Sequence, residues 1–201
     1  HYVSLDQTPE LWAELEMSNV TLREACGNTV RNVTAAVDAG INPDEPFDVS
    51  PYAQAIFEYF LRNPVSQEMG RKFKIAVSAS EKDEAFTFMH DIGLIPKIKT
   101  VNGKEVRGFK VMLAGGLGAQ GRVADVAYEF LEEEKTIPFI EACVRVFDRY
   151  GERSKRQKAR IKFLLIDWGL EKFMDEVNKV LPSIANKTVA IDTTTVNSVP
   201  N

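Results

Sequence analysis

The chain has 201 residues, of which 44% are hydrophobic, and its formal net charge at pH 7 is −4. This length and composition predict one domain, or one and a fraction, with a substantial apolar core. They exclude a membrane-spanning helix, because no apolar run approaches the roughly 20 residues that cross a bilayer.

The first residue and the cysteines indicate the setting of the chain. It starts at His1 without an initiator Met or a signal-peptide pattern, so we interpret it as a fragment of a longer chain. Cys26 and Cys143 lie far apart without a CxxC motif, which argues against a disulfide framework and favours a reducing, cytoplasmic compartment. Two thiols and two histidines also argue against a zinc site.

Short elements and loops are predicted before residue 50. The opening residues alternate like a short strand, and Thr8-Pro9 begins a helix with Thr as N-cap and Pro at the first helical position. A capping-box pattern predicts another short helix over 21–27. Glycine, asparagine and proline then predict a loop over 34–49.

Strand and helix periods alternate in the middle of the chain, and helices fill the rest. The middle elements are a helix begun by Ser50-Pro51 and closed by Asn63-Pro64, a strand over 73–78, a helix from Ser80 to Gly93, and two strands over 94–99 and 106–113 joined by a hairpin turn at Asn102-Gly103. The later elements are helices over 123–131, 138–150, 153–168 and 170–181, then a tail over 182–201 that is predicted to pack little.

Basic residues are the unusual feature of this acidic chain. Six of them and no acid fall between positions 153 and 162, and Arg71, Lys72 and Lys74 form a second cluster. Such clusters repel themselves unless an anion, a carboxylate or water screens them, so they predict a polyanionic partner. A solvated helix face explains the longer run equally well on composition alone.

Four segments carry a family resemblance. In order along the chain they read ACGNTVRNV over 25–33, RKFKI over 71–75, AGGLG over 114–118 and GERSKRQKARIK over 151–162. In this order and spacing the chain resembles the siroheme-dependent nitrite and sulfite reductases over residues 21 to 180. Each motif alone is weak, and the ordered set is what carries the resemblance.

The resemblance implies an α+β domain with a mixed β-sheet covered by helices. Enzymes of that family contain two related halves, and this chain resembles the first. Residues 1–20 would then be the C-terminal remnant of a ferredoxin-like half-domain. Residues 21–181 would form the nitrite/sulfite reductase 4Fe-4S-type domain of the first repeat, and 182–201 a linker or tail.

The resemblance also implies roles for the basic residues, because siroheme, nitrite and sulfite are all anions. Arg31, Lys72 and Lys74 would be catalytic, polarising the bound oxyanion and supplying protons. Cofactor contacts would come from a larger set: Arg31, Asn32, Arg71, Lys72, Lys74, Gly115, Gly116, Arg153 and Arg156. Side chains alternate along a strand, so Lys72 and Lys74 share one face and can approach one ligand.

Ordinary structural roles stand beside each of these assignments. The two lysines could guard an exposed edge strand, Arg31 could be a surface cation, and Asn32 could be a turn residue. The glycines could form a tight connection. A basic helix over 153–162 could contact siroheme carboxylates or brace the interface between the two halves, and bracing is slightly favoured.

The cysteines limit what the chain can do by itself. A [4Fe–4S] cluster needs about four thiolates, and Cys26 and Cys143 are insufficient. We therefore expect siroheme and the cluster to belong to the parent enzyme, with the cluster cysteines in the second half. The fragment alone is expected to be inactive, to hold no metal, and to bind siroheme weakly or not at all.

The expected partners are nitrite or sulfite, the second half of the same chain, and an electron donor that is either ferredoxin or an NAD(P)H-linked flavoprotein. Neither a nucleic acid nor a membrane is expected. The alternative is a non-catalytic structural domain, or one that binds anions or nucleic acid through the basic helix 153–162. The net charge of −4 opposes nucleic-acid binding. A degenerate reductase half that only scaffolds a partner is a third hypothesis.

Overall fold

The computed structural model describes residues 2–193 and has an α+β fold built on a five-stranded sheet. The strands are β1 (Val30–Ala35), β2 (Phe73–Val77), β3 (Ile92–Val101), β4 (Lys104–Leu113) and β5 (Asp125–Glu132). They lie side by side in chain order; β1, β2 and β3 run parallel, and β4 and β5 are antiparallel to their neighbours. The expected mixed sheet is confirmed.

The α-helices lie before, between and after the strands. They are α1 (Thr8–Met17), α2 (Ser50–Phe60), α3 (Glu133–Tyr150), α4 (Ile161–Trp168) and α5 (Leu170–Val180). Helix α2 packs against β1, and α3 packs against β4, β5, α4 and α5. Within residues 2–193, no helix is both long enough and apolar enough to cross a membrane.

One face of the sheet forms the core with α2 and α3. Phe73, Ile75 and Val77 alternate along β2 and are fully buried, as are Ile140 and Phe147 of α3. Full burial of side chains of this kind contributes about 1.5–3 kcal/mol each. The opposite face of β2 therefore receives the side chains of the intervening residues.

The hairpin between β3 and β4 is confirmed. Val101 pairs with Lys104, and Asn102 and Gly103 between them have φ of 52° and 76°. Two consecutive positive φ values define the turn that matches the twist of the flanking strands, and asparagine and glycine adopt them most easily.

The segment over 123–131, predicted as a helix, forms β5 instead. Phe109 pairs with Leu131, and Leu113 pairs with Asp125. Val126, Tyr128 and Phe130 alternate along this strand, and pairing with β4 satisfies its backbone hydrogen bonds. The aromatic and β-branched alternation was the stronger signal.

The segment from Ser80 to Gly93, also predicted as a helix, consists of turns with a single 3₁₀ turn at Thr87–Met89, and its last two residues begin β3. Asp83 and Phe86 have φ of 57° and 53°. A left-handed backbone at two positions cannot continue a right-handed helix.

Two predictions near the start of the chain are wrong, and one strand was missed. The opening residues form a 3₁₀ turn at Leu5–Gln7 rather than a strand, and 21–27 form turns rather than a helix. Glu24 has φ of 61°, and its carboxylate accepts the Arg62 N–H at 2.6 Å. Strand β1, which was not predicted, takes up the first residues of the loop expected over 34–49.

The basic run does not form the predicted helix. Residues 151–160 make a loop with a 3₁₀ turn at Arg156–Lys158, and α4 begins only at Ile161. The Glu152 carboxylate accepts the N–H groups of Ser154 and Lys155 at 2.5 and 3.0 Å, which turns the chain after α3. The hypothesis that this run binds nucleic acid required a helix that presents the cations on one face, and the structure has no such helix over 151–160.

The tail packs more than its composition predicts. Ile184 is 1% exposed, and the Val189 N–H donates to the Glu134 carbonyl at 2.8 Å. Ile191 also packs against the core. The last part of the predicted tail, 194–201, lies outside the described residues.

Candidate anion-binding site

The basic residues collect at the amino ends of the three parallel strands. Lys72 and Lys74 lie at the start of β2, Arg31 lies at the start of β1, and Asp91 directly precedes β3. Parallel strands begin at the same edge of a sheet, so these residues are neighbours in space although they are distant in sequence.

A bulge at the start of β1 arranges the first of these residues. Val30 pairs with Phe73 and Asn32 pairs with Lys74, so Arg31 is the extra residue on β1. Asn32 lies directly beside Lys74 on the face opposite the buried Phe73. Bulges are common next to active sites, because they redirect a side chain.

Arg31 is anchored rather than loose. Its Nε and Nη2 donate to the Ala25 carbonyl at 3.2 and 3.1 Å. The ACGNTVRNV motif therefore folds back on itself, and the loop before β1 fixes the guanidinium beside Lys72. This contact argues against a freely solvated surface cation.

The cations lie close enough together for their charges to act on the pKa of Lys72 and of Arg71. Burial lowers the pKa of Lys72, and the charges of Arg31, Lys74, Arg160 and Arg71 lower it further. Burial also lowers the pKa of the Arg71 guanidinium, with additional effects from Arg156, Arg160 and Arg31. Together the members of this group, called here the cationic cluster, are Arg31, Arg71, Lys72, Lys74, Arg156 and Arg160.

Asp91 is the carboxylate that meets this cluster. It is 0% exposed, and it accepts both Nε and Nη2 of Arg160, at 3.1 and 2.8 Å. Its Oδ2 accepts the backbone N–H of Lys74 at 2.9 Å. Burial raises the pKa of the Asp91 carboxyl, while Arg160 and the Lys74 N–H act in the opposite direction.

The other basic residues of the 153–162 run have separate places. Arg153 pairs with Asp148 at 2.5 Å and donates to the Glu68 carbonyl, so it is tied to the end of α3. Lys162 is 2% exposed, and its Nζ donates to the Leu117 carbonyl at 2.9 Å and to the Gln120 carbonyl at 2.5 Å. The basic residues of the 153–162 run therefore have different surroundings. Arg156 and Arg160 belong to the cationic cluster, Arg153 is bound at the end of α3, and Lys162 is buried.

The glycines of the AGGLG segment serve close packing. A Cβ on Gly115 would lie 2.2 Å from the Phe88 carbonyl oxygen, and one on Gly116 would lie 3.1 Å from Cδ of Lys162. The Gly115 N–H donates to the His90 carbonyl, and the Gly116 N–H donates to the Arg122 carbonyl. Both amides are therefore engaged within the protein.

Apolar residues lie exposed on the segments next to the cluster. Phe86 and Phe88, which are 54% and 39% exposed, make an edge-to-face pair a few residues before Asp91. Leu117 and Val123 on the glycine segment are 65% and 66% exposed. A surface that combines cations with exposed apolar side chains suits a ligand with a flat apolar body and an anionic rim.

The residues fit siroheme and do not fit an iron–sulfur cluster. The cationic cluster matches a polycarboxylate in charge. By contrast, Cys143 is fully buried, burial raises the pKa of its thiol well above the usual value, and Cys26 lies on the surface. Across residues 2–193, no three His, Cys, Asp or Glu side chains are grouped so that they could hold a metal.

Arg160 and Asp91 are the residues at the edge of the cluster that sequence reasoning did not single out. Arg160 was counted in the basic run but not separated from its neighbours, and Asp91 was not singled out. The sequence signal that could have identified Asp91 was an acidic residue directly before the apolar start of a strand. A carboxylate at such a buried position needs a cationic partner.

Comparisons with known proteins show what the chain is similar to. The family model described as "Nitrite and sulphite reductase 4Fe-4S domain" matches residues 26–184. The chain is 34% identical over 179 residues to the assimilatory ferredoxin-dependent nitrite reductase of Haloferax mediterranei, covering 88% of this chain and 30% of that protein. It is 32% identical over 175 residues to sulfite reductase [ferredoxin] 1 of Mycolicibacterium paratuberculosis, covering 87% and 31%.

A solved structure gives the same result. The NirA protein of Mycobacterium tuberculosis superposes with a TM-score of 0.81 and 28% identity, over 91% of this chain and 33% of that one. The chain thus spans about a third of the length of the relatives that it matches.

Proposed function

Because the chain belongs to the nitrite and sulphite reductase 4Fe-4S domain family, we propose that it forms part of an enzyme that reduces nitrite or sulfite. In this proposal the chain contributes the cationic cluster that holds the anionic cofactor and the anionic substrate. The carrying observation is that Arg31, Lys72 and Lys74 lie together at one end of the sheet, where burial and the charges of Arg31 and Lys74 lower the pKa of Lys72.

The two lysines have the chemistry that the reaction needs. A lowered pKa makes the Lys72 ammonium a better proton donor, and reduction of an oxyanion consumes protons as its oxygens leave. Lys74 and Arg31 polarise the oxygens of the anion through charge-assisted hydrogen bonds. Siroheme, when bound, supplies the iron that carries the electrons to the substrate.

The remaining cations hold the cofactor in this proposal. Arg71, Arg156 and Arg160 bind carboxylates, because a planar guanidinium matches a carboxylate with two parallel hydrogen bonds. Asn32 lies beside Lys74 and presents an amide to the same face. Gly115 and Gly116 shape the neighbouring wall through close backbone packing rather than as free donors.

The chain alone is proposed to be inactive. Its cysteines cannot hold a [4Fe–4S] cluster, so the cluster ligands belong to the second half of the parent protein. We assign residues 1–20 to the end of a ferredoxin-like half-domain, 21–181 to the first 4Fe-4S-type domain and 182–201 to a linker or tail. A cytoplasmic location, with ferredoxin or an NAD(P)H-linked flavoprotein as donor, completes the proposal; relatives whose names include ferredoxin favour ferredoxin.

The decisive experiment is a visible absorption spectrum of the full-length protein, purified from cells that make siroheme. Nitrite and sulfite reduction with a chemically reduced donor would follow. Siroheme bands with turnover of either anion are the expected result and identify the substrate. A colourless, folded protein without turnover would refute the proposal and favour a reductase half that only scaffolds a partner.

A further inference from the structure

The carboxylate of Asp91 joins three elements at the edge of the cationic cluster. It precedes β3, its Oδ2 accepts the Lys74 N–H of β2 at 2.9 Å, and its Oδ1 accepts Nε and Nη2 of Arg160, the residue before α4. Nη2 of Arg160 also reaches Oδ2 at 2.8 Å. A single buried group therefore fixes both a proposed catalytic lysine and a guanidinium.

Stability alone does not explain a carboxylate at this position. Burying an ion pair costs desolvation that the attraction offsets only with good geometry, and apolar residues can often replace such pairs without loss of stability. Asp91 is 0% exposed, whereas the Arg160 side chain keeps 18% of its surface exposed. The pair thus buries its negative member and presents its positive member to solvent.

The orientation of Arg160 within the pair supports a role toward a ligand. Asp91 engages Nε and Nη2, and Nη1 takes no part in the pair. Together with burial, the charge of Arg160 lowers the pKa of both Arg71 and Lys72. Asp91 therefore holds the Nε and Nη2 side of the Arg160 guanidinium, and the Nη1 side remains among the other cations of the cluster.

We propose that Asp91 is a positioning residue that orients Arg160 and the start of β2 at Lys74 toward the anions that the cationic cluster binds. This inference rests on the proposed function of the cationic cluster. It assigns Arg160 as an anion ligand and Asp91 as a residue that acts through Arg160 and Lys74.

The proposal can be separated from a simple effect of charge, because the two have opposite signs. Removal of the Asp91 charge makes the cluster more positive, which by itself strengthens the binding of an anion. Loss of positioning releases Arg160 and loosens the start of β2, which weakens that binding. The sign of the change in affinity therefore distinguishes the two roles.

The test is calorimetric titration of inorganic sulfate into the siroheme-free full-length protein at low ionic strength. Asp91→Asn keeps the size of the side chain but places an amide NH₂ against the guanidinium; we expect sulfate affinity to fall about tenfold or more. Asp44→Asn is the matched control. It removes the same charge from an exposed pair with Lys82, and we expect it to leave sulfate affinity unchanged.

A second variant covers the case in which Asp91→Asn does not fold. Arg160→Lys keeps the positive charge but cannot make the two-bond contact with Asp91, and we expect sulfate affinity to fall severalfold. Thermal unfolding is measured for every variant, because a merely structural role would lower the unfolding temperature and leave the sulfate affinity of the folded protein unchanged.

Several results would overturn the proposal. Unchanged or tighter sulfate binding by Asp91→Asn would show that Asp91 acts only through its charge and positions nothing. Wild-type sulfate affinity in Arg160→Lys would show that Arg160 is not a ligand of the anion. An equal loss in Asp44→Asn, or no sulfate binding by the wild-type protein, would also overturn it. Sulfate binding requires neither siroheme nor turnover, so a protein that binds sulfate as expected but reduces neither anion would refute only the proposed function.

Discussion

The two ends of the parallel strands β1 and β2 differ in how their charges are used. At the carboxyl ends, the Glu45 carboxylate accepts the N–H groups of Gly40 and Val49 at 2.7 and 2.9 Å. Asp48 accepts the Ser50 N–H at 2.8 Å at the start of α2. These acids satisfy backbone donors of their own loop, which is a structural use of charge.

At the amino ends, like charges face each other. Arg31 and Arg160 are fixed by a carbonyl and a carboxylate, while within residues 2–193 the ammonium groups of Lys72 and Lys74 make no hydrogen bond or ion pair. Burial, together with the charges of Arg31 and Lys74, lowers the pKa of Lys72. Charges that the fold orients but does not neutralise are suited to an external anion.

The comparison reverses a common expectation. Ligands of open α/β sheets usually bind outside the carboxyl ends of the strands. Here loops fill those ends and satisfy their own charges, whereas the amino ends carry the unbalanced cations. The predictions below test this division between a functional end and a structural end.

The largest effect is expected from the unpaired lysines. Lys72→Met and Lys74→Met in the full-length protein should each lower turnover of nitrite or sulfite by about 10²–10³-fold, since in the proposed function each removes a charge that stabilises the reacting anion. Siroheme content, read from the visible spectrum, should stay near wild type. The control is Lys82→Met at the structural end, where Lys82 pairs with Asp44. Wild-type rates in both amino-end variants would remove these lysines from the mechanism.

A large effect on stability is expected at Gly115. The Cβ of Gly115→Ala would meet the Phe88 carbonyl oxygen at 2.2 Å, so the backbone must shift. We expect a loss of about 1–3 kcal/mol in the free energy of unfolding, measured by chemical denaturation. Gly121→Ala, which meets nothing within 4 Å, is the matched control. Equal stability of the two variants would contradict the packing role of Gly115.

A pH-dependent effect is expected at the structural end. Burial is the main cause of the raised pKa of Glu45. The folded protein therefore binds this proton more tightly than the unfolded chain, so the contribution of Glu45 to stability is greatest at low pH and falls as pH rises through its folded pKa.

Glu45→Gln removes this dependence. The free energy of unfolding of Glu45→Gln relative to wild type should become more favourable as pH rises above the usual glutamate pKa, and should level off above the folded pKa. Denaturant unfolding at a series of pH values measures it. A difference that stays constant across this range would contradict the assignment.

The smallest effect is expected within the basic run. Arg153 pairs with Asp148, an exposed contact, so Arg153→Ala should cost about 0–1 kcal/mol of stability and leave siroheme content unchanged. Arg156→Ala should instead lower the siroheme content of the purified full-length protein, because the Arg156 charge acts on Arg71. The reverse pattern would place Arg153, not Arg156, at the functional end.

Local sequence rules predicted the elements that short-range physics controls. The hairpin at Asn102-Gly103, strand β2 and the helix after Ser50-Pro51 formed as expected, because turn residues, alternation and capping act within a few positions. The same rules failed for β5, where pairing with β4 overrode a helical interpretation of the segment.

Half of the site could be predicted in the same way. Alternation places Lys72 and Lys74 on one face. The structure adds the pairing of Asn32 with Lys74, which places the RNV motif beside them. Strand β1 was missed, however, so its bulge and the position of Arg31 could not be derived from the sequence.

The sequence by itself determined that this acidic chain carries cations in motifs whose order and spacing resemble those of the reductase family. Only the tertiary structure decided which of those cations act together. Asp91 pairs with Arg160, which is 69 positions away, and Asp148 pairs with Arg153. The carbonyls of residues 117 and 120 accept hydrogen bonds from the buried Lys162. The physical reason is the distance along the chain over which each effect acts. Periodicity and capping act over a few residues, whereas the pairing of a buried charge depends on which distant groups the fold brings into contact.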